Sequence, residues 1–343
     1  MPNPVLTEAI DKLASGADLT TSEAADVMRE VMEGRASEVQ AAGFLIALRT
    51  KGETVDELTG FARTMRDLSR TVEVEHDDLL DTCGTGGGPP TFNVSTTAAI
   101  VAAGAGCRVA KHGGRSNTGQ SGSADLLEAL GARLELEPRA IADCIEEIGF
   151  GFMFAPLHHS AMRHVVPVRK ELAVRTLFNF LGPLTNPAGA TRPVIGVSDA
   201  TKLEPVAAAL SALGCQSGLV VSSTDGLDEI SVSAETRVIE VGEGGVEGFT
   251  VSPEELGVEP APFDSLRSGA PERSAEIARG VLAGDRGPER SLTLLNAGAA
   301  IYVGGKAGSI ADGVLKAAQS IDSGAARDVL ERYVRRTREL ATG

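Results

Sequence analysis

Tryptophan is absent from this chain, and aromatic residues make up only 3% of its 343 positions. Positive charge is also scarce. Against 47 aspartates and glutamates stand 32 lysines and arginines, giving a net charge of −15 and an isoelectric point near 4.9. Such a surface repels nucleic-acid phosphates and anionic lipid, which excludes both as bulk partners. An anionic small molecule would have to be met by local devices: helix N-termini, backbone amides, a few basic side chains or a metal ion. The four cysteines, Cys83, Cys107, Cys144 and Cys215, include no pair at CxxC spacing, which argues against a zinc site and against a disulfide framework. No apolar run approaches the roughly 20 residues of a membrane span. The N-terminal MPNPVLTEAIDKLASG carries neither a basic nor an apolar leader region, and no repeat of solenoid length is present. The expectation is a cytoplasmic protein with reduced thiols.

What the chain has in plenty is glycine, 40 residues beside an ordinary 42% of hydrophobic ones. That profile suits an α/β protein with many glycine-bearing turns, about two domains by length. Residues 4–70 read as helices alone. In 22-SEAADVMREVMEG-34 the apolar positions recur at three- and four-residue steps and Gly34 stops the helix. The stretch 36-ASEVQAAGFLIALRTKG-52 follows, and Thr54 with the acids after it opens a third helix over 54–69. From about residue 78 short apolar segments (LLDTC, CRVAKH, RPVIGVS, SGLVVSS, EISVS) alternate with helical ones, the grammar of βα units. The fold class is therefore α/β: a small all-α N-terminal domain (1–72, joined by about 165–187) and a larger α/β domain (73–164 and 188–343) with a mainly parallel central sheet. The tail 310–340 reads as two helices.

Four stretches can carry chemistry. In 81-DTCGTGGGPPTFNVSTTAAI-100 a short strand runs through glycines and prolines into a helix starting near Ser95 or Thr96. Glycines let the main chain approach an anion, and a helix N-terminus supplies free N–H groups. The spacing fits neither GxGxxG nor the Walker pattern, so a dinucleotide site and a P-loop are both rejected; a plain turn stays open. The second stretch, 107-CRVAKHGGRSNTGQSGSADLLEALG-131, repeats strand, polar glycine-rich loop and helix, with Ser121 or Ser123 as cap. It adds Lys111, His112 and Arg115. Right-handed crossovers put both loops side by side on the carboxyl edge of the sheet. Third, Asp228 and Glu229 in 225-DGLDEIS-231 sit at a loop-to-strand junction, where paired carboxylates suit Mg²⁺ or are simply solvated. Fourth, 150-FGFMFAPLHHSAMRHVVPVRKELAVR-175 offers alternating Phe150, Phe152 and Phe154, then His158, His159 and Arg169. An aromatic wall with a fixed arginine fits a flat carboxylated molecule, though core phenylalanines with surface charges fit as well.

Taken in order, GTGG (84–87), TFNVST (91–96), KHG (111–113), SGSADLLEALG (121–131), FGFMFAPLHHSAMRHVVPVR (150–169), RTLFNFLGPLTNPAG (175–189) and DE (228–229) resemble the anthranilate phosphoribosyltransferase family over essentially the whole chain. The resemblance implies transfer of the phosphoribosyl group of phosphoribosyl pyrophosphate (PRPP) to the amine of anthranilate, with Mg²⁺, in tryptophan biosynthesis. It also implies an active site in the cleft between the domains and a homodimer formed through the helical one. Carried over by position, Gly84, Thr85, Gly87, Gly88, Thr91, Asn93, Val94, Ser95 and Thr96 would cradle the donor's pyrophosphate. Lys111, His112, Gly113, Arg115, Gly119 and Ser123 would complete the donor site. Gly84, Gly114 and Arg169 would face the anthranilate, and Ser95, Asp228 and Glu229 the metal. No general base is assigned.

Three positions depart from the family pattern. Gly114 stands where asparagine is usual and Gly119 where serine is usual. The loop continues as Gly88-Pro89-Pro90, one residue shorter than a common form. The donor loop tolerates the shortening because its backbone does the binding; at Gly114, Asn117 or a water would have to replace the missing side chain. Two other readings remain: a pyrimidine-nucleoside phosphorylase of the same two-domain plan, and a catalytically impaired homologue that only binds ligand.

Overall fold

Four helices open the computed structural model, which describes residues 1–115, 121–266 and 269–341. They are α1 (Pro4–Ala14), α2 (Thr21–Met32), α3 (Glu38–Lys51) and α4 (Val55–Asp67). Their starts are fixed by local chemistry. Asn3 accepts the Val5 and Leu6 amides, Ser37 the Gln40 amide, and Thr20 and Thr54 form capping boxes with Glu23 and Glu57. Glu57 also reaches beyond its own helix. Fully buried, it accepts the Leu19 amide at 2.9 Å and pairs with Lys51 at 3.0 Å, so one carboxylate ties three segments.

Among the described residues seven strands form one sheet in the order β3-β2-β1-β4-β5-β6-β7. These are β1 (Leu80–Gly84), β2 (Val109–Gly113), β3 (Phe150–Phe154), β4 (Arg192–Gly196), β5 (Ser217–Ser223), β6 (Thr236–Gly242) and β7 (Gly245–Val251). The first five are parallel, and β6 and β7 are added antiparallel. The strand order reverses at β1 and β4, and the crevice beyond the carboxyl ends of two such strands is where open α/β sheets take ligands. Helix α5 (Val94–Gly104) follows β1. It is apolar all round and buried nearly throughout, as a central helix must be. Helix α6 (Ser123–Leu130) follows β2.

Hydrophobic cores lie on both faces of the sheet. One is built on α5, α6 and the helices Pro288–Val303, Ile310–Asp322 and Ala325–Leu340. The other joins Val206 and Leu210 of helix Leu203–Ala212 to Met28, Phe44 and Phe61 of the N-terminal helices. Val168, Leu181 and Leu184, from the short helices Val166–Leu172 and Phe178–Leu184, belong to that same cluster. Arg66 of α4 donates to the Leu184 carbonyl and Arg63 to that of Ala212, so the N-terminal unit is hydrogen-bonded as well as packed onto the rest. No helix among the described residues is long and apolar enough to cross a membrane.

Several local expectations are corrected. The segment EISVS is not a strand. Asp225 instead accepts hydrogen bonds from the Ser231 and Ser233 hydroxyls, which folds the segment back on itself. Asp228 and Glu229 therefore lie in irregular chain between β5 and β6. FGFMF, read as an aromatic wall, is strand β3. Helix α5 starts one residue before Ser95 with no side-chain cap, and α6 is capped at Gly122, whose amide bonds to Asp125 at 2.8 Å, rather than by Ser121 or Ser123.

Candidate active site

Beyond the carboxyl ends of β1, β2 and β3 lies a cleft of about 1240 Å³. Its walls come from the glycine-rich loop after β1, the loop after β2, the 154–169 segment and helix Phe178–Leu184, with Met65 of α4 reaching in from the helical unit. Asp228 and Glu229 also line it.

The glycines of the first loop have a physical reason beyond turning. A side chain on Gly84 would overlap the Asp228 carboxylate, and one on Gly87 (φ +87°) would overlap the Arg175 guanidinium. At Gly88 a Cβ would lie 2.7 Å from the Gly226 carbonyl. The protein itself fills the space these residues leave, which holds the bare backbone in place. The Gly86 amide donates to Asp228 Oδ2 at 2.7 Å, the Ser198 hydroxyl donates to the Gly86 carbonyl at 2.8 Å, and the Thr85 amide bonds to the Gly196 carbonyl at 2.9 Å. Among the described residues no acceptor is bonded to the amides of Gly87, Gly88 and Thr96. The glycine loop thus leaves N–H groups free on a cleft that Val94 and Ser95 at the start of α5 also line, an arrangement that receives anionic oxygens.

The loop after β2 is tied to the first. Asn93 Nδ2 donates to the Ser121 carbonyl at 3.0 Å, and the Ser121 hydroxyl donates to Asn93 Oδ1 at 2.7 Å. Gly113 brings the backbone close enough that a Cβ would sit 3.1 Å from both Phe152 and Ser123. Gly114 is different: among the described residues a Cβ there would meet only Ala155, at 3.9 Å.

Charge is arranged in two layers. In the cleft, burial pushes the Asp228 carboxyl above its ordinary value, and burial followed by the adjacent Asp228 pushes Glu229 to about 8. Two carboxylates so raised favour a nearby cation, and with the Ser95 hydroxyl on the same cleft they offer hard oxygen donors suited to Mg²⁺, whose other places would go to water or phosphate. The described residues hold no cluster of three or more His, Cys, Asp or Glu that could hold a metal ion. Beneath the cleft, Lys111 is fully buried and donates to the Thr82 carbonyl, with the Ser95 hydroxyl 3.4 Å away. Burial lowers its pKa. Burial also raises Asp81, whose carboxylate accepts from the His112 amide at 3.1 Å and Asn186 Nδ2 at 2.7 Å.

The opposite wall carries aromatic and imidazole groups. Phe154, His112, His159 and Arg169 line the cleft. His112 and His159 meet edge to face at 5.1 Å, and burial holds both below the ordinary histidine value, His159 at about 4. Both are neutral near pH 7. Arg169 lies over the Phe178 ring at 5.6 Å and has no carboxylate partner among the described residues. Burial lowers its pKa.

Most residues expected at the site stand on this cleft: Gly84, Thr85, Gly87, Gly88, Thr91, Asn93, Val94 and Ser95 from the first loop, His112, Gly113, Gly114, Arg115 and Ser123 from the second, with Arg169, Asp228 and Glu229. Four need comment. Lys111 does not reach the cleft surface, because its ammonium is turned under β1. Thr96 is wholly buried and does not line the cleft. Arg115 is engaged by Asp125 at 2.8 Å and by Glu128, and stacks on Phe154. Gly119, with the Asn117 suggested as substitute for an asparagine at 114, lies outside the described residues. Of the three phenylalanines only Phe154 lines the cleft; Phe150 and Phe152 are core, and His158 turns to the Arg70 carbonyl at 2.6 Å. Arg175, Ser198, Asn186 and Asp81 do not stand out from the residues, since the bonds that tie them to the site join positions 23 or more apart in sequence.

Comparison with known proteins decides the family. Residues 7–69 match the helical bundle domain of a glycosyl transferase family, and 76–327 match its a/b domain. A protein of Methylobacillus flagellatus named anthranilate phosphoribosyltransferase is 52% identical over 94% of this chain and 96% of its own length. This chain belongs to the anthranilate phosphoribosyltransferase family. A family member from Rubrobacter xylanophilus is also 52% identical, over 98% of this chain and 99% of its own. The crystal structure of the Thermus thermophilus member superposes with a TM-score of 0.91 at 48% identity, covering 96% of this chain and 99% of that one. The Saccharomyces cerevisiae member in complex with PRPP and Mg superposes with a TM-score of 0.89 at 29% identity, over 98% of both chains. Another structure of that protein holds 4-fluoroanthranilate, with a TM-score of 0.88 at 28% identity and the same coverage.

Proposed function

We infer that this chain transfers the phosphoribosyl group of PRPP to the amine of anthranilate, releasing pyrophosphate, in tryptophan biosynthesis. Full-length kinship at about half identity carries the activity. The observation of the site that agrees best is the pair of amides at Gly87 and Gly88, without an acceptor among the described residues, on the same cleft as Asp228 and Glu229. A pyrophosphate needs donors on one side and a cation on the other.

The roles follow from the geometry. Gly87, Gly88 and the start of α5 take the pyrophosphate oxygens, with Thr85, Thr91, Asn93 and Ser123 around them. Ser95, Asp228 and Glu229 would hold Mg²⁺, which supplies positive charge to the leaving group. Lys111, fully buried beneath the cleft, acts on this layer through the Ser95 hydroxyl, to which it donates at 3.4 Å, and not by contact with substrate. Arg169, without a carboxylate partner among the described residues and set against an aromatic ring, grips the acceptor carboxylate while Phe154 and His159 pack on the flat ring. Neutral imidazoles do not repel the amine's developing charge. As the C1–pyrophosphate bond opens and the amine bonds to C1, the chain mainly stabilises the departing anion and aligns the amine. No side chain is assigned as base.

We also propose that residues 1–72, with about 165–187, move as one domain against 73–164 and 188–343, so that the cleft is the inter-domain site. A homodimer through the helical domain is supported by α3, where Val39 is 82% exposed and Ile46 38% on a soluble surface; sedimentation would read it. Four free thiols fit a cytoplasmic protein. To test the activity, the protein is incubated with PRPP, anthranilate and Mg²⁺, and the products are identified by mass. N-(5-phosphoribosyl)anthranilate and pyrophosphate in equal amounts are expected, and their absence would overturn the reading.

A further inference from the structure

Arg175 stands outside every role given above, yet it is held more closely against the donor loop than most residues assigned to the site. It belongs to the short link between helices Val166–Leu172 and Phe178–Leu184. Its guanidinium occupies the space where a side chain on Gly87 would be, donates through Nη1 to the Ser198 hydroxyl at 3.2 Å, and lies over the Phe180 ring at 5.7 Å. Ser198 passes the contact on, because its own hydroxyl donates to the Gly86 carbonyl at 2.8 Å. From the other side Asp228 takes the Gly86 amide. The Gly86 peptide is thus bracketed at both polar ends, and the α-carbon of Gly87 is backed by a cation. The Arg175 carbonyl in turn accepts Arg49 Nη1 of α3 at 2.8 Å, which anchors the link to the helical unit.

We propose that Arg175, acting through Ser198 and against Gly87, is the positioning residue of the donor loop: it fixes the Gly86–Gly88 backbone in the form that presents its amides to the pyrophosphate of PRPP. The inference rests on the function proposed above. It does not give Arg175 contact with substrate. Bare glycine backbone is the most conformationally free in the chain, and ordering it on binding weakens affinity. A guanidinium placed where a side chain would be removes that freedom before the ligand arrives, while leaving the opposite face open. Only arginine can stack on Phe180 and donate sideways to Ser198 at once; a lysine would keep the charge and lose the planar fork.

The test compares Arg175→Ala, Arg175→Lys and Ser198→Ala with the parent protein. Steady-state kinetics would be read for each substrate separately, and hydrogen exchange on the peptide spanning Gly84–Gly88. Arg175→Ala is expected to raise the KM for PRPP roughly tenfold or more, to leave the KM for anthranilate within about twofold, and to speed exchange in the loop without ligand. Ser198→Ala should shift the same two readouts in the same direction by less, and Arg175→Lys should recover only part of the loss. Equal changes in both KM values, or unchanged loop exchange in Arg175→Ala and Ser198→Ala, would overturn the proposal. If the parent protein did not turn over PRPP and anthranilate, the proposed function would fall instead, and loop exchange alone would still decide whether Arg175 holds the backbone.

Discussion

The two walls of the cleft are made in opposite ways. On the donor side the glycine loop is braced from behind: Asp228, Arg175 and the Gly226 carbonyl occupy the places of absent side chains, and the backbone is left with amides to offer. On the side proposed for the acceptor, recognition falls to side chains. Arg169, Phe154 and His159 project from the 154–169 segment, and Gly114 also lines the cleft. Backbone recognition suits phosphate, which is the same in every phosphorylated molecule. Side-chain recognition suits the part of the reaction that distinguishes one acceptor from another. Changes to the first wall should therefore cost donor affinity and turnover, and changes to the second should alter acceptor affinity alone.

The largest effect is expected at the acidic pair. Asp228→Asn also weakens the acceptor for the Gly86 amide, so it should lower kcat/KM by at least about a hundredfold and raise the Mg²⁺ concentration needed for half-activity. A loss confined to anthranilate KM would break the division between the walls. Next comes Arg169→Ala, for which removing a charged hydrogen-bonding partner predicts a rise in anthranilate KM of about ten- to a hundredfold with PRPP KM unchanged. Gly114→Asn is the smallest. Among the described residues its Cβ would meet only Ala155, so the fold should hold, and anthranilate KM should fall by a few-fold if an amide there reaches the acceptor. No gain in acceptor affinity would show that Gly114 does not weaken the site.

His112 and His159 on the wall proposed for the acceptor, with His158 turned away from it to the Arg70 carbonyl, sharpen the comparison through pH. Burial holds His112 and His158 below the ordinary value of 6.5, and His159 at about 4. The folded protein keeps them neutral while the unfolded chain takes up protons as the pH falls through about 6.5. Stability is therefore complete above that pH and declines toward pH 4. His159 alone accounts for a loss on the order of 3 kcal/mol. Thermal melting followed from pH 7 to 4 should show the decline, and His159→Gln should flatten it; an unchanged slope in the variant would mean that the imidazole is not held neutral.

How much of this could be seen beforehand follows the same division. Glycine punctuation between a strand and a helix is local, so the loop after β1, the loop after β2 and their adjacency on the carboxyl edge were legible, as were the N-terminal helices with their Thr54 cap and glycine stops. The parallel order of β1, β2, β4 and β5 followed from the alternation of segments. What stayed hidden depends on tertiary partners. Nothing local to Lys111 says that its ammonium turns under β1 to the Thr82 carbonyl, or that Arg175 fills the space at Gly87. The segment EISVS has strand composition, yet Asp225 captures its serines first. FGFMF alternates as a strand should, but its aromatic content drew it toward the site, where only Phe154 belongs.

The cleft is proposed to bring backbone amides for PRPP and an arginine for anthranilate together, with Mg²⁺ required for the reaction. Loss of anthranilate fluorescence on adding PRPP, with Mg²⁺ present and then chelated, tests all three parts in a single trace. The account predicts a loss that requires both substrates, stops with chelator and resumes when Mg²⁺ is restored. No loss with Mg²⁺ and PRPP present, together with phosphorolysis of uridine or thymidine by the same protein, would contradict it.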